Sequence, residues 1–148
     1  MSELKFSALT NESNTFTEQN LIGNKTILFF YPKDLTPGCT KEACEFRDVF
    51  NEITSLGYKI YGVSKDDIES HNKFIDKHAL PFELIADTNG HLCSAFGAWQ
   101  EKSMFGKKYM GIVRSTFIIG EAGDVLKKWP KVSVTNHVKE VLAWIKSN

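Results

Sequence analysis

Apolar residues change their spacing several times along this chain, and each change marks an element. Thr26-Ile27-Leu28-Phe29-Phe30-Tyr31 is an unbroken apolar, β-prone run of strand length, the pattern of a strand buried on both faces. From Thr40 to Leu56 the apolar positions Ala43, Phe46, Val49, Phe50 and Ile53 recur at steps of three and four. This predicts one helix, closed by Gly57. Tyr58 to Ser64 reads as the next strand. A helix capped by Ser64 or Asp66 follows to about His78, with Ile68, Phe74 and Ile75 inward. Beyond Pro81 come a short strand, Glu83 to Ala86, and a short helix that begins at Asp87-Thr88-Asn89-Gly90 and carries Cys93 and Phe96. Gly97 to Met110 predicts a hairpin or a long loop, and Gly111 to Ile119 another strand. Gly120 to Asp124 turns that strand into an antiparallel partner, Val125 to Trp129, before a last helix, Val134 to Lys146. At the start, Asn11-Glu12-Ser13-Asn14 between Phe6 and Phe16 signals a small hairpin.

Strands alternating with helices, then a closing antiparallel pair and helix, predict an α/β fold with a mixed central sheet covered on both faces. No repeat, low-complexity tract or linker divides the chain, so residues 1–148 are expected to form a single domain. With 42% hydrophobic residues and eleven Phe, the chain can fill a core without metal or disulfides. Lys+Arg and Asp+Glu both number 18, and no basic block is present, which argues against a nucleic-acid partner. Met1 to Phe6 lack the basic-then-apolar layout of an export signal, and no apolar run has the length of a membrane span. A cytoplasmic protein without membrane contact is expected. In a reducing compartment three cysteines (Cys39, Cys44 and Cys93) point to catalysis, redox sensing or metal binding rather than to a disulfide framework.

The chemistry gathers where the first long strand meets the first helix. Pro32 ends the strand, and Pro37-Gly38 place Cys39 in the first helical turn. A cysteine there sits beside free backbone N–H groups and the positive end of the helix dipole, which favour the attacking, anionic form of sulfur. Thr36 could hydrogen-bond the sulfur or a substrate oxygen, and Pro32 would wall off water on one side. Arg114, inside an otherwise apolar strand, is the candidate fixed charge, because a mostly buried arginine rarely persists unpaired. Glu42, one turn after Cys39, could orient it. Thiol redox is the expected chemistry, with attack by one sulfur and resolution by the other.

The spacing of Cys39 and Cys44 has a mechanical consequence. Five residues of ideal helix rise about 7.5 Å and turn about 140°. That exceeds the roughly 7 Å Cα limit for a disulfide. If both cysteines lie in one helix, pairing them requires the helix to unwind locally.

With Pro32, Thr36, Cys39 and Arg114 in hand, the chain resembles the peroxiredoxins. More narrowly it resembles their Q-type branch, the bacterioferritin comigratory proteins, in which a resolving cysteine follows the peroxidatic one by five residues. The resemblance covers nearly the whole chain: Phe29 to Asp34, Thr36 to Thr40, Glu42 to Cys44, Phe46 to Asp48, Gly62 to Ser64, Trp99 to Lys102, Gly106 to Tyr109 and Arg114 to Phe117 match in order. It implies a thioredoxin-like fold and reduction of hydrogen peroxide or organic hydroperoxides. Cys39 would become a sulfenic acid, Thr36 and Arg114 would bind the peroxide oxygens, and Pro32 would shield the product. Cys44 would then condense with Cys39 to an intramolecular disulfide, reopened by a thioredoxin or glutaredoxin-type donor. Glu42 takes the acidic position beside the arginine. No metal or organic cofactor is implied, and a monomer suffices because the pairing needs no second subunit. Leu35 departs from the small or acidic residue common at its position.

Other readings stay open at this point. Cys93 lies outside the pattern and reads first as a buried structural thiol. Trp99, Met104 and Phe105 could line a rim for substrate or reductant, or belong to a hairpin packed on the core. A zinc module of Cys39, Cys44, Cys93 and His91 has poor ligand spacing. A dithiol oxidoreductase would carry Cys-x-x-Cys, which is missing here. His71, His78 and His137 are expected on solvated helix surfaces.

Overall fold

The apolar run at the middle of the N-terminal half becomes the centre of the sheet. The computed structural model describes residues 5–148; Met1 to Leu4, where the stretch read for an export signal begins, lie outside them. The chain runs β1 (Ser7–Thr10), β2 (Thr15–Thr17), β3 (Lys25–Phe30), α1 (Pro37–Asp48), α2 (Phe50–Ser55) and β4 (Tyr58–Ser64). It continues with α3 (Ile68–His78), β5 (Glu83–Ala86), α4 (His91–Ala95), β6 (Trp99–Met104), β7 (Lys107–Ile112), β8 (Ser115–Ile119), β9 (Val125–Trp129) and α5 (His137–Ser147). Seven strands form one mixed sheet in the order β2-β1-β5-β4-β3-β8-β9. Strands β3, β4 and β5 are mutually parallel, while β1, β8 and β9 join antiparallel. The predicted N-terminal hairpin is β1–β2, with Ala8 opposite Phe16.

The strand period of two divides β3 between two cores. Ile27, Phe29 and Tyr31 face a cluster built with Ala43, Phe46, Ile53, Phe74, Val138, Val141 and Ile145 from α1, α2, α3 and α5. Leu28 and Phe30 face the other side, against Phe16, Leu92, Cys93 and Phe117. Gly62 lets β4 fit beneath the first cluster: a Cβ there would lie 2.7 Å from Leu84 Cδ2 and 2.8 Å from Phe29 Cζ.

Several boundaries differ from the sequence reading. The expected single helix, 40–56, is two helices that bend at Val49 (φ −112°, ψ 12°). The expected strand 111–119 is also two. β7 pairs only with β6, β8 pairs with β3 and β9, and Val113-Arg114 form the corner between the two sheets. Neither Ser64 nor Asp66 caps α3; Asp67 does, accepting from the Ser70 N–H at 2.8 Å. The last helix begins three residues late, after Asn136 in the left-handed region (φ 63°). The β6–β7 hairpin packs on the core only at its base. Trp99 and Ile112 lie there, while Met104 is 56% and Phe105 98% exposed at the tip. Among the described residues no helix is long and apolar enough to cross a membrane.

Gly62→Ala is expected to cost about 1–3 kcal/mol, the usual range for overpacking a filled core. Chemical denaturation reads this as a lowered midpoint; an unchanged midpoint would mean that Leu84 and Phe29 yield without strain.

Candidate active site

Between β3 and α1 lie six residues, Tyr31–Thr36, of which Tyr31 and Asp34 are buried. Leu35 sits at φ 66°, a left-handed backbone uncommon for a residue with a side chain. Thr36 is the N-cap residue of α1 with extended backbone, Pro37 opens the helix, and Cys39 occupies its first turn. The Thr36 hydroxyl donates to the Lys33 carbonyl at 2.9 Å rather than to the helix. Its oxygen keeps lone pairs that can accept a proton from a bound substrate.

Cys39 is 2% exposed and Cys44 is half-buried, and both are free thiols in the same helix. Arg114 reaches the helix from the corner between β7 and β8. Its Nη1 donates to Glu42 Oε1 at 2.7 Å and its Nη2 to Cys39 Sγ at 3.3 Å. The corner is held by two backbone bonds: Val113 N–H donates to the Ala98 carbonyl, and Val132 N–H to the Arg114 carbonyl. Gly38 leaves room for the guanidinium, since a Cβ there would stand 3.2 Å from Nη2. The sequence thus gathers Cys39, Glu42 and Arg114 correctly, although Arg114 lies in a corner and not within a strand.

The electrostatics of the trio follow from burial. Burial raises the Glu42 carboxyl to about 7, against the attraction of Arg114, and Glu42 Oε2 has no hydrogen-bond partner. Burial would lower Arg114, but the charges of Glu42 and Cys39 outweigh it and hold the guanidinium above its ordinary value. Pro32 and Arg114 also line an open cleft of about 730 Å³, together with Gln100, Lys102, Lys131 and Val132. Pro32 is itself exposed on its rim.

Other candidates are placed elsewhere. Cys93 belongs to the opposite core from Cys39, with the sheet between them. Burial, then the Asp87 carboxylate, push its thiol up, so it is a poor nucleophile. The zinc set of Cys39, Cys44, Cys93 and His91 is therefore not brought together. Two of the three helix histidines read as solvated are buried. His137 pairs with Thr116 Oγ1 at 2.7 Å, and burial, then Arg114, lower it to about 4. His71 is fully buried against Asp34 at 2.7 Å. His78 is half-buried. Among the described residues one trio could in principle ligate a cation, Asp34, Asp66 and His71. Its facing atoms are already engaged with one another, the Ile85 carbonyl, the Ser64 hydroxyl and the Asp34 N–H, which makes it a hydrogen-bonded network.

Comparison with known proteins shows the family of the chain. The model of the AhpC/TSA family matches residues 3–128. A putative peroxiredoxin Bcp of Coxiella burnetii is 47% identical over 137 residues, covering 93% of this chain and 91% of the relative. Peroxiredoxin Bcp of Bacillus subtilis is 51% identical over 124 residues, covering 84% and 79%. Among solved structures, a peroxiredoxin Q of Xanthomonas campestris superposes with a TM-score of 0.91 at 38% identity, covering 97% of this chain and 90% of that one. The chain therefore belongs to the AhpC/TSA family, within its Bcp or Q-type peroxiredoxins, thiol-dependent peroxidases built on the thioredoxin fold.

Proposed function

We propose that this peroxiredoxin reduces hydrogen peroxide and organic hydroperoxides through Cys39 and regenerates itself through an intramolecular Cys39–Cys44 disulfide. One observation carries the reading: a single guanidinium, Arg114, donates to the first-turn sulfur and to a buried acid at the same time. In the first step the Cys39 thiolate attacks the terminal peroxide oxygen. The O–O bond breaks, sulfur is oxidised to the sulfenic acid, and the departing alkoxide or hydroxide takes up the proton lost when the Cys39 thiol ionised, leaving as alcohol or water. Arg114 supports charge on the oxygens as the bond breaks, and Thr36 Oγ1 accepts from the peroxide O–H. Pro32 shields the product. In the second step the Cys44 thiol displaces hydroxide as water and the disulfide closes. A dithiol donor of the thioredoxin or glutaredoxin type then returns two electrons and reopens it. A Xanthomonas campestris relative has structures described for its alkyl peroxide reduction, which supports the organic substrate class here. No cofactor is required, and a monomer in the cytoplasm is the form we propose.

Both cysteines lie within α1, Pro37–Asp48, so the second step needs that helix to open. Amide hydrogen exchange across residues 39–47 is expected to rise sharply on oxidation, and equal protection in both states would contradict the pairing. Stopped-flow titration with one equivalent of hydroperoxide, followed by mass mapping, should find the Cys39–Cys44 bond. Recovery of two alkylatable thiols after that titration would overturn the proposal.

Cys39→Ser should abolish turnover with any donor, while Cys44→Ser should keep the first oxidation and lose thioredoxin-linked recycling. Arg114→Ala should slow the peroxide step by on the order of 10²–10³, the scale of losing one charge-stabilising donor. An unchanged rate would assign that charge to another group.

Glu42 makes stability depend on pH. Its carboxyl is raised from about 4.5 to about 7 by burial, so the folded state holds the proton more tightly than the unfolded state. This contribution is complete below about 4.5 and is lost as pH rises through about 7. Glu42→Gln should flatten the decline in stability across that window, read from urea midpoints at successive pH values. A decline equal to that of the parent chain would assign the dependence to another group.

A further inference from the structure

The resemblance assigns residues that face the substrate; it says nothing of what holds them from behind. Asp34 does this in the structure. Its carboxylate receives three donors: the Tyr31 hydroxyl on Oδ1 at 2.6 Å, and on Oδ2 the Ser70 hydroxyl at 2.8 Å and the His71 ring at Nδ1, 2.7 Å away. Its backbone N–H donates to Asp66 Oδ2 at 2.8 Å, which also accepts from the Ser64 hydroxyl at 2.7 Å. The other ring nitrogen of His71, Nε2, donates to the Ile85 carbonyl at 2.9 Å. The His71 and Asp34 side chains are 0% and 1% exposed. A loop whose flanking residues lie in water is therefore pinned at its middle to the ends of β4 and β5 and to the first turn of α3.

The two neighbours of Asp34 make this pin consequential. Leu35 holds a left-handed backbone that an unrestrained leucine avoids, and Thr36 follows at once as the cap of the cysteine helix. Any drift at Asp34 moves Thr36 Oγ1 and the first turn of α1 relative to Arg114, which is fixed from a different corner of the fold. Positioning errors of this size are expensive for a reaction that depends on aligned atoms.

We propose that Asp34 and His71 are positioning residues for the peroxide step, clamping the β3–α1 loop so that Thr36 and Cys39 meet Arg114. This rests on the functional reading above and adds to it a specific division of labour. The clamp serves the attack of Cys39 on peroxide and not the later capture by Cys44, for which α1 has to leave its folded position anyway.

The chemistry of the clamp supplies its own control. One proton lies between Asp34 Oδ2 and His71 Nδ1, and the Nε2 proton faces the Ile85 carbonyl. Asp34→Asn can keep every contact, since the amide oxygen accepts from Tyr31 while its two N–H groups can donate to Nδ1 of the neutral ring and to Ser70 Oγ, which turns from donor to acceptor. Asp34→Ala removes the acceptor, and His71→Phe keeps a ring of similar bulk while removing both donors. The measurement is the second-order rate of Cys39 oxidation per titrated thiol, taken separately from the rate of disulfide closure and from the thermal midpoint. Asp34→Ala and His71→Phe are expected to lower the oxidation rate at least tenfold with disulfide closure within about twofold. Asp34→Asn is expected to return oxidation to within about threefold of the parent. Should either of the first two variants fail to fold, Ser70→Ala and Tyr31→Phe each remove one donor to Asp34, and each should slow oxidation severalfold. Unchanged oxidation in the folded variants, or oxidation and closure falling together, would overturn the clamp. A parent chain that leaves peroxide unconsumed would instead overturn the functional reading on which it rests.

Discussion

A guanidinium shared between a sulfur and a fully buried carboxylate sets terms that the surrounding structure has to meet. Glu42 has no exposure and one of its oxygens lacks any partner; among the described residues Arg114 is the cation that pairs with it and offsets its burial. Arg114 in turn needs a rigid base. The chain supplies it at the corner where β7 leaves one sheet and β8 enters the other, with a backbone bond to residue 98 on one side and from residue 132 on the other. Gly38 completes the arrangement by being small: any side chain there would press on Nη2. Gly38 and Glu42, one helical turn apart in α1, and Arg114, 72 positions beyond Glu42, thus answer to one contact.

The helix that carries both cysteines is unevenly secured. Toward its C-terminal end Phe46 stacks on Phe29 with ring centroids 4.8 Å apart, and Arg47 Nη1 donates to the His78 carbonyl at the end of α3, 2.7 Å away. Ahead of that, the helix buries only small side chains, Cys39 and Ala43, and the Glu42–Arg114 pair. Apolar burial scales with area, so the ring of Phe46 anchors more than the methyl of Ala43. In the proposed cycle the opening that brings Cys44 to Cys39 therefore begins at the front and meets increasing resistance toward residues 46 and 47.

Much of this was legible in the sequence, because strand and helix periods are local. The run 26–31 has the length and the β-prone make-up of a strand buried on both faces, and an arginine in an apolar stretch calls for a partner. What escaped was non-local. The bend at Val49 leaves Phe46, Val49, Phe50 and Ile53 in the same apolar phase, so periodicity runs straight through it. The corner at Val113-Arg114 interrupts an unbroken β-prone stretch, and it exists only because the pairing partner changes from β6 to β3. His71 and His137 read as solvated because their hydrogen-bond partners come from elsewhere: Asp34 lies 37 positions from His71, and Thr116 lies 21 from His137. Helical spacing shows which face a histidine occupies, not whether another element arrives to meet it.

The cysteine is bracketed by two buried acids that solve the same problem differently. Glu42 is held by a cation and keeps an unsatisfied oxygen. Asp34 is held by hydroxyls and an imidazole, with all of its partners supplied. A fully satisfied network resists rearrangement, because each bond lost leaves a buried polar atom without water. A buried ion pair is a weaker lock. Its attraction is opposed by the desolvation of both ions, and exposing the two together returns their hydration. When oxidised α1 opens, Glu42 can move into water at modest net cost, whereas Asp34 has no such compensation. The asymmetry makes the loop before Cys39 the fixed side of the site and the helix after it the moving side, which is the order that attack followed by resolution requires.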